Sequence, residues 1–200
     1  MSAVEIAYFV TPDAETLGVR RHFGRWLMQR LVDERFGAGE ARIETAESGQ
    51  PVVVGANRPA FVSLTHTDRL IAAAFATARV GVDAEPLHRT TSHPNLHARV
   101  CSPIELRWLD ELPEHQRSHG FLRLWTRKES YGKAIGVGLG FEWRSTSVNP
   151  DDARLTGVPG EWHASELDLG SDVVAAVVVE GGPRPIEVFK VDWRELPDLG

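Results

Sequence analysis

The stretch AFVSLTHTDRLIAAAFATARVGVDAEP, residues 60–86, decides how this chain is read. It contains three strand-like runs, AFVSLTH (60–66), LIAAAFATA (70–78) and RVGVDAE (79–85), with turn signals at Thr67-Asp68-Arg69 and near Arg79. Short apolar and β-branched runs punctuated in this way predict a β meander, and Pro86 ends the third run. Side chains alternate across a strand. Val80, Val82 and Ala84 therefore face one way, and Gly81, Asp83 and Glu85 face the other.

Outward from this meander, VEIAYFV (4–10) predicts an opening strand. Val19, Phe23, Trp26, Leu27 and Leu31 recur at helical spacing, so a helix is expected from about Gly18 to Phe36, stopped by Gly37 and Gly39. SGQP (48–51) is expected to be a loop. The polar segment PLHRTTSHPN (86–95) is expected to cross between two lobes, assigned here to residues 1–97 and 98–200. Ser102-Pro103-Ile104-Glu105 carries the pattern of a helix start. A further helix is expected at about 118–135, and two late strands at DVVAAVVVE (172–180) and PIEVFKVDW (185–193). The class is α+β with antiparallel pairing.

The chain has 200 residues, of which 42% are hydrophobic and 25% charged, with a net charge of −6. These values fit an ordinary globular protein able to bury a core without cross-links. They argue against general nucleic-acid binding. The single cysteine, Cys101, excludes a disulfide framework. The longest apolar run, VVAAVVVE, is strand-sized, so neither a membrane span nor a signal segment is expected, and the expected location is the cytoplasm. The basic patches RRHFGRW (20–26) and Arg123 with Arg127 read as solvated helix faces.

Two carboxylates at one strand end, Asp83 and Glu85, repel unless a cation neutralises them. Oxygen ligands suit a hard ion, and Mg²⁺ takes one or two carboxylates together with phosphate oxygens. Taken alone, the same pair reads as the solvent-facing edge of a half-buried sheet. In LWTRKESYGKAIG (124–136), Glu129 and Lys133 stand one helical turn apart, with Lys128 beside them near an apolar face. A phosphate placed between these groups would reconcile the acids with the lysines. Taken singly, Lys133 reads as the partner of Glu129, and Lys128 as an apolar stem covering surface. His66 at a strand end is either a phosphate donor or a structural imidazole. His93, His97 and Cys101 share a helix stripe, but a zinc site needs a fourth ligand that no second cluster supplies. GVGLG (136–140) ends a helix instead of opening one, so it reads as a helix stop, not a phosphate loop.

The order of these elements, SLTHTDRLIAAAFATARVGVDAEP (63–86) and then FLRLWTRKESYGKAIGVGL (121–139), resembles the Sfp-type 4'-phosphopantetheinyl transferases. That family's pattern is SHS, then GVD-x-E, then W-x-x-KE-x-x-x-K-x-x-G-x-GL. The likeness runs from about Gly49 to Leu139. It implies two similar α+β lobes forming a pseudo-dimer within one chain, coenzyme A in the cleft between them, and a monomer. It also implies Mg²⁺ on Asp83, Glu85 and Glu129, with Glu129 and Lys133 catalytic. Arg20, Gly49, Gln50, Pro51, Thr65, His66, Lys128 and Lys133 would contact the coenzyme, with Arg20 at the 3'-phosphate. The implied reaction moves the phosphopantetheine arm to a serine of an acyl or peptidyl carrier protein and releases 3',5'-ADP. The departures are Thr65-His66-Thr67 for SHS, Gln50 for the lysine of GKP, and TPDAETLG (11–18), which lacks the basic run usual before the first helix. A Mg²⁺-dependent pyrophosphate hydrolase and an inactive carrier-binding module are the alternative readings.

Overall fold

In the computed structural model, which describes residues 2–91, 95–137, 142–148 and 153–197, the chain is built from two main sheets, two small two-stranded ones and two long helices. The strands are β1 (Val4–Val10), β2 (Arg42–Thr45), β3 (Pro51–Val54), β4 (Phe61–His66), β5 (Leu70–Ala76), β6 (Val80–Pro86), β7 (Ser147–Val148), β8 (Leu155–Thr156), β9 (Trp162–Leu167), β10 (Val173–Glu180) and β11 (Ile186–Lys190). The helices are α1 (Leu17–Phe36), α2 (Leu96–Val100), α3 (Pro103–Glu111) and α4 (Glu114–Ile135). The mixed α+β class expected from the sequence is the class observed.

One sheet has the order β11-β1-β5-β4 and the other β6-β10-β9. Val4, Ile6, Leu70, Ala72 and Ala74 of the first face Val80, Val82, Ala84, Ala175 and Val177 of the second in one buried cluster. The outer face of the first sheet is covered by α1 through Phe23, Leu27, Met28 and Leu31. The outer face of the second is covered by α3 and α4 through Leu109, Phe121, Leu124 and Tyr131. The layers therefore run helix, sheet, sheet, helix, each amphipathic element turning its apolar side inward.

Three expectations need correction. The meander is broken: β4 and β5 form a hairpin, but β6 pairs antiparallel with β10. The physical reason is that β5 already has β1 and β4 on its two edges and offers no third. Pairing is not wholly antiparallel, because β11 runs parallel to β1. The hairpin of β2 and β3 and the strands β7, β8 and β9 were not expected. The two sheets also exchange strands across the expected boundary at residues 97 and 98, β6 joining the late strands and β11 the first one.

The Ser102 helix start is a full capping box with Glu105, and α4 begins at Glu114, a turn earlier than the spacing predicts. His93 and residues 138–140 of the GVGLG stretch lie outside the described residues. Gly136 closes α4 with φ 80°, the left-handed cap that favours glycine. Among the described residues no helix is long and apolar enough to cross a membrane.

Candidate functional site

The two sheets meet along a seam between β4 and β6. The Ser63 hydroxyl accepts from the Val82 N–H at 3.1 Å and the Thr65 hydroxyl accepts from the Ala84 N–H at 3.1 Å. Side-chain oxygens thus satisfy backbone donors that a paired strand would otherwise take. The alternate hydroxyls at 63 and 65 are the sequence signal for this seam, while the Thr67 hydroxyl accepts from the N–H groups of Arg69 and Leu70 in the turn before β5. Thr65 also donates to Asp83 Oδ1 at 3.1 Å. The end of β4, with His66, is thereby fixed beside the carboxylates of β6.

On its other side β6 lies directly against α4. A Cβ on Gly81 would come within 1.8 Å of the Ser130 carbonyl oxygen, so only glycine permits this approach. The contact brings Asp83 and Glu85 to the flank of α4 that carries Glu129 and Lys133, the face that strand alternation predicts. Lys133 Nζ donates to Asp83 Oδ1 at 2.8 Å and to the Val82 carbonyl at 3.0 Å. These bonds use two of its three N–H donors. Asp83 is buried, and its second oxygen, Oδ2, has no hydrogen-bond partner. Glu85 accepts from the Trp125 indole N–H at 3.0 Å and pairs with Arg89.

The electrostatics follow from three carboxylates sharing a half-dry space. Glu129 is pushed up to about 7, first by burial and then by the Asp83 carboxylate, with Lys133 opposing. Burial also raises Glu85, Arg89 opposes, and Asp83 adds to the rise. His66 is lowered by burial and then by Arg20. No group of three or more His, Cys, Asp or Glu side chains among the described residues is arranged to hold a metal ion. The carboxylates are gathered without being closed around one point.

Thr65, His66, Asp83, Glu85 and Lys133 line a cavity of about 770 Å³, and Glu129 stands behind that wall, close enough to Asp83 and Glu85 to feel their charge. Gly49 and Pro51 line it too, as do Arg21 and Arg25 of α1. Gln50 instead donates from Nε2 to the Lys133 carbonyl at 2.8 Å, clipping the β2–β3 turn to the last turn of α4.

Two expected site residues are turned away. Arg20 spends Nη1 on the Thr67 carbonyl at 2.7 Å and on Asp68 at 3.0 Å and does not line the cavity, whose wall carries Arg21 and Arg25 of α1 and Arg89 from beyond β6. Lys128 is 1% exposed and pairs with Glu105 at 2.7 Å. It also donates to the carbonyls of Val100, Trp143 and Thr146 at 2.9, 2.7 and 2.6 Å. An ammonium with four acceptors inside the protein has no donor left for a ligand. Burial lowers it and Glu105 opposes.

The basic patch of α4 is not a solvated face either, since Arg123 and Arg127 both bond Glu166 Oε1, at 2.5 and 2.9 Å. His97 stacks on Phe121 with ring centroids 4.3 Å apart, and burial pushes the Cys101 thiol up to about 12. Both are occupied in packing.

Comparison with known proteins gives this arrangement a family. Residues 79–178, which hold β6, α4 and most of the second sheet, match the 4'-phosphopantetheinyl transferase superfamily. The 4'-phosphopantetheinyl transferase HetI of Nostoc sp. is 31% identical over 171 residues, covering 81% of this chain and 72% of that one. The 4'-phosphopantetheinyl transferase of Bacillus subtilis is 28% identical over 140 residues, covering 68% of this chain and 61% of that one. A solved holo-acyl-carrier-protein synthase of Neisseria meningitidis aligns with 52% of this chain and 97% of its own, at TM-score 0.44 and 19% identity. The extent of the family match, together with the identity and coverage of the Nostoc relative, makes the chain a member of the 4'-phosphopantetheinyl transferase superfamily and a transferase enzyme.

Proposed function

We propose that the chain moves the phosphopantetheine arm of coenzyme A onto a serine of an acyl or peptidyl carrier protein, with Mg²⁺, releasing 3',5'-ADP. The observation that carries this reading is the division of charge around one cavity. Carboxylates and Lys133 stand at the end where β6 meets α4, and Arg21 and Arg25 line the wall given by α1. Acids suit a cation, and arginines suit a phosphate. In this reading the chain is a monomeric pseudo-dimer of two similar α+β lobes, one around each sheet, with the coenzyme in the cleft between them.

The donor set fits Mg²⁺. Asp83 Oδ2 is a buried oxygen without a partner, and Glu85 and Glu129 are carboxylates whose charged forms are disfavoured by burial and then by Asp83. Mg²⁺ needs only one or two such groups when phosphate and water supply the rest. Asp83, Glu85 and Glu129 would hold it, and the bound ion would neutralise pyrophosphate charge.

The chain's own residues divide the remaining work. Lys133 has a third donor for the pyrophosphate and is held by Asp83 and Val82. His66 and Thr65 stand beside that position on the β4 side, and Gly49 and Pro51 form the wall for the adenine. The carrier serine hydroxyl attacks the phosphorus that bears the pantetheine, a phosphoester bond forms, and the pyrophosphate bond breaks. Glu129, or a water it would hold with the ion, takes the serine proton. Lys133 stabilises the charge left on 3',5'-ADP.

Incubation with coenzyme A, Mg²⁺ and a panel of apo carrier proteins, read by intact mass, tests this. The expected result is one added phosphopantetheine group on at least one carrier, lost when its serine is changed to alanine. Release of 3',5'-ADP at the same rate without any carrier would establish hydrolysis in its place.

Recognition of the 3'-phosphate is assigned to Arg21 and Arg25 in place of Arg20. A charge-assisted contact contributes about 1.5–3 kcal/mol, and 1.36 kcal/mol is about tenfold in rate. With two such contacts, about 3–6 kcal/mol in all, dephospho-coenzyme A is therefore expected about a hundredfold to ten-thousandfold below coenzyme A in kcat/KM. Arg21→Ala with Arg25→Ala is expected to narrow that gap by hurting coenzyme A alone. Collapse of the preference in Arg20→Ala, with the double variant unaffected, would reverse the assignment.

A further inference from the structure

Glu85 has its own resident cation. Arg89 stands in the turn after β6, its N–H bonded to the Pro86 carbonyl at 3.0 Å. Its Nη1 pairs with Glu85 Oε1, the same oxygen that accepts the Trp125 indole N–H. The guanidinium carbon lies 5.2 Å from the Trp125 ring centroid, in cation–π range. Glu85 is only 13% exposed at its side chain, whereas Arg89 is 43% exposed. Arg89 also lines the cavity together with Asp83 and Lys133.

The partition of cations is informative. Lys133 serves Asp83 from α4, and the bond is locked by a second contact to the Val82 carbonyl. Arg89 serves Glu85 from a solvent-facing turn, by one ion pair and one ring contact. An ion pair with a well-solvated partner is a weak hold. A divalent ion arriving at the same carboxylate carries twice the charge and competes with Arg89 for it.

We propose that Arg89 is an exchangeable counter-ion of the carboxylate cluster. Without a divalent cation it neutralises Glu85 from its place over the Trp125 ring. Cation binding displaces it, and the freed guanidinium remains at the rim of the cavity, where it can meet substrate phosphate. No bond is made or broken other than the ion pair. The inference rests on the Mg²⁺ reading of Asp83, Glu85 and Glu129.

Mn²⁺ serves as the probe, titrated without coenzyme by calorimetry, with tryptophan fluorescence in parallel. Arg89→Met is expected to bind Mn²⁺ about three- to fivefold more tightly than the wild type, the scale of an exposed ion pair. Arg89→Lys, which keeps the charge without the planar ring contact, is expected to fall between them. Mn²⁺ is expected to change the fluorescence of the wild type, and that change is expected to vanish in both Trp125→Phe and Arg89→Met. Circular dichroism establishes that each variant is folded before titration. Unchanged or weaker Mn²⁺ binding by folded Arg89→Met, with clear binding by the wild type, overturns the counter-ion role and leaves the cation site standing. No Mn²⁺ binding by the wild type, with or without coenzyme A, overturns both.

Discussion

Asp83→Asn is expected to lower kcat/KM for transfer by about a thousandfold while the protein stays folded. Removing one preorganised electrostatic group from a catalytic site typically costs 10²–10³-fold. Asp83 has two tasks at once, because its Oδ1 holds Lys133 and Thr65 while its Oδ2 is left open. Glu129→Gln is expected to cost as much, since it removes both a cation ligand and the proposed base. Glu85→Gln should be milder, about tenfold, because a water can replace it at the ion. Asp83→Asn carries a second readout in the titration of Glu129. The Asp83 carboxylate is one cause of the rise of Glu129 to about 7, so Glu129 is expected to titrate lower in this variant. Steady-state kinetics with coenzyme A and a carrier protein, and carboxyl titration by NMR, check the two parts. A folded Asp83→Asn enzyme working near the wild-type rate would remove this residue from the site.

Lys128→Met is expected to destabilise the protein by about 3–5 kcal/mol, the usual cost of deleting one member of a buried ion pair. The variant would leave the Glu105 carboxylate, 1% exposed, facing an apolar side chain. It would also strip a donor from the carbonyls of Val100, Trp143 and Thr146. Glu105 keeps its two backbone donors, Ser102 N at 2.6 Å and Val148 N at 2.7 Å, but they do not replace a cation. For a chain of this size the loss corresponds to a fall in Tm of about 10 °C. Adding Glu105→Gln is expected to return part of the loss, because the orphaned charge disappears. Thermal and denaturant unfolding of the single and double variants measure this. A Lys128→Met protein with unchanged Tm and a raised KM for coenzyme A would restore Lys128 to the cavity.

Local periodicity by itself determined the parts of the site that lie within one element. Alternation along residues 79–86 put Gly81, Asp83 and Glu85 on a common face, and helical spacing put Glu129 and Lys133 one turn apart. The spans of β1, α1 and α3 were legible for the same reason, since strand and helix repeats, Gly37 and the Ser102–Glu105 box are short-range signals. The weak strands β2, β3, β7 and β8 carry too few residues for a period to register.

What only the tertiary structure decided is the partnership of each element and each charge. β6 leaves the β4–β5 hairpin for β10 because β5 has no free edge, and β11 returns parallel to β1 because that edge was open. Neither fact is written within a strand. Lys128 and Lys133 lie five residues apart on one helix, yet one meets Glu105 and three carbonyls while the other meets Asp83. Arg20 and Arg21 are adjacent, and only Arg21 lines the cavity. Long cationic side chains of similar pattern go wherever acceptors are concentrated, and those acceptors come from residues brought close by folding alone.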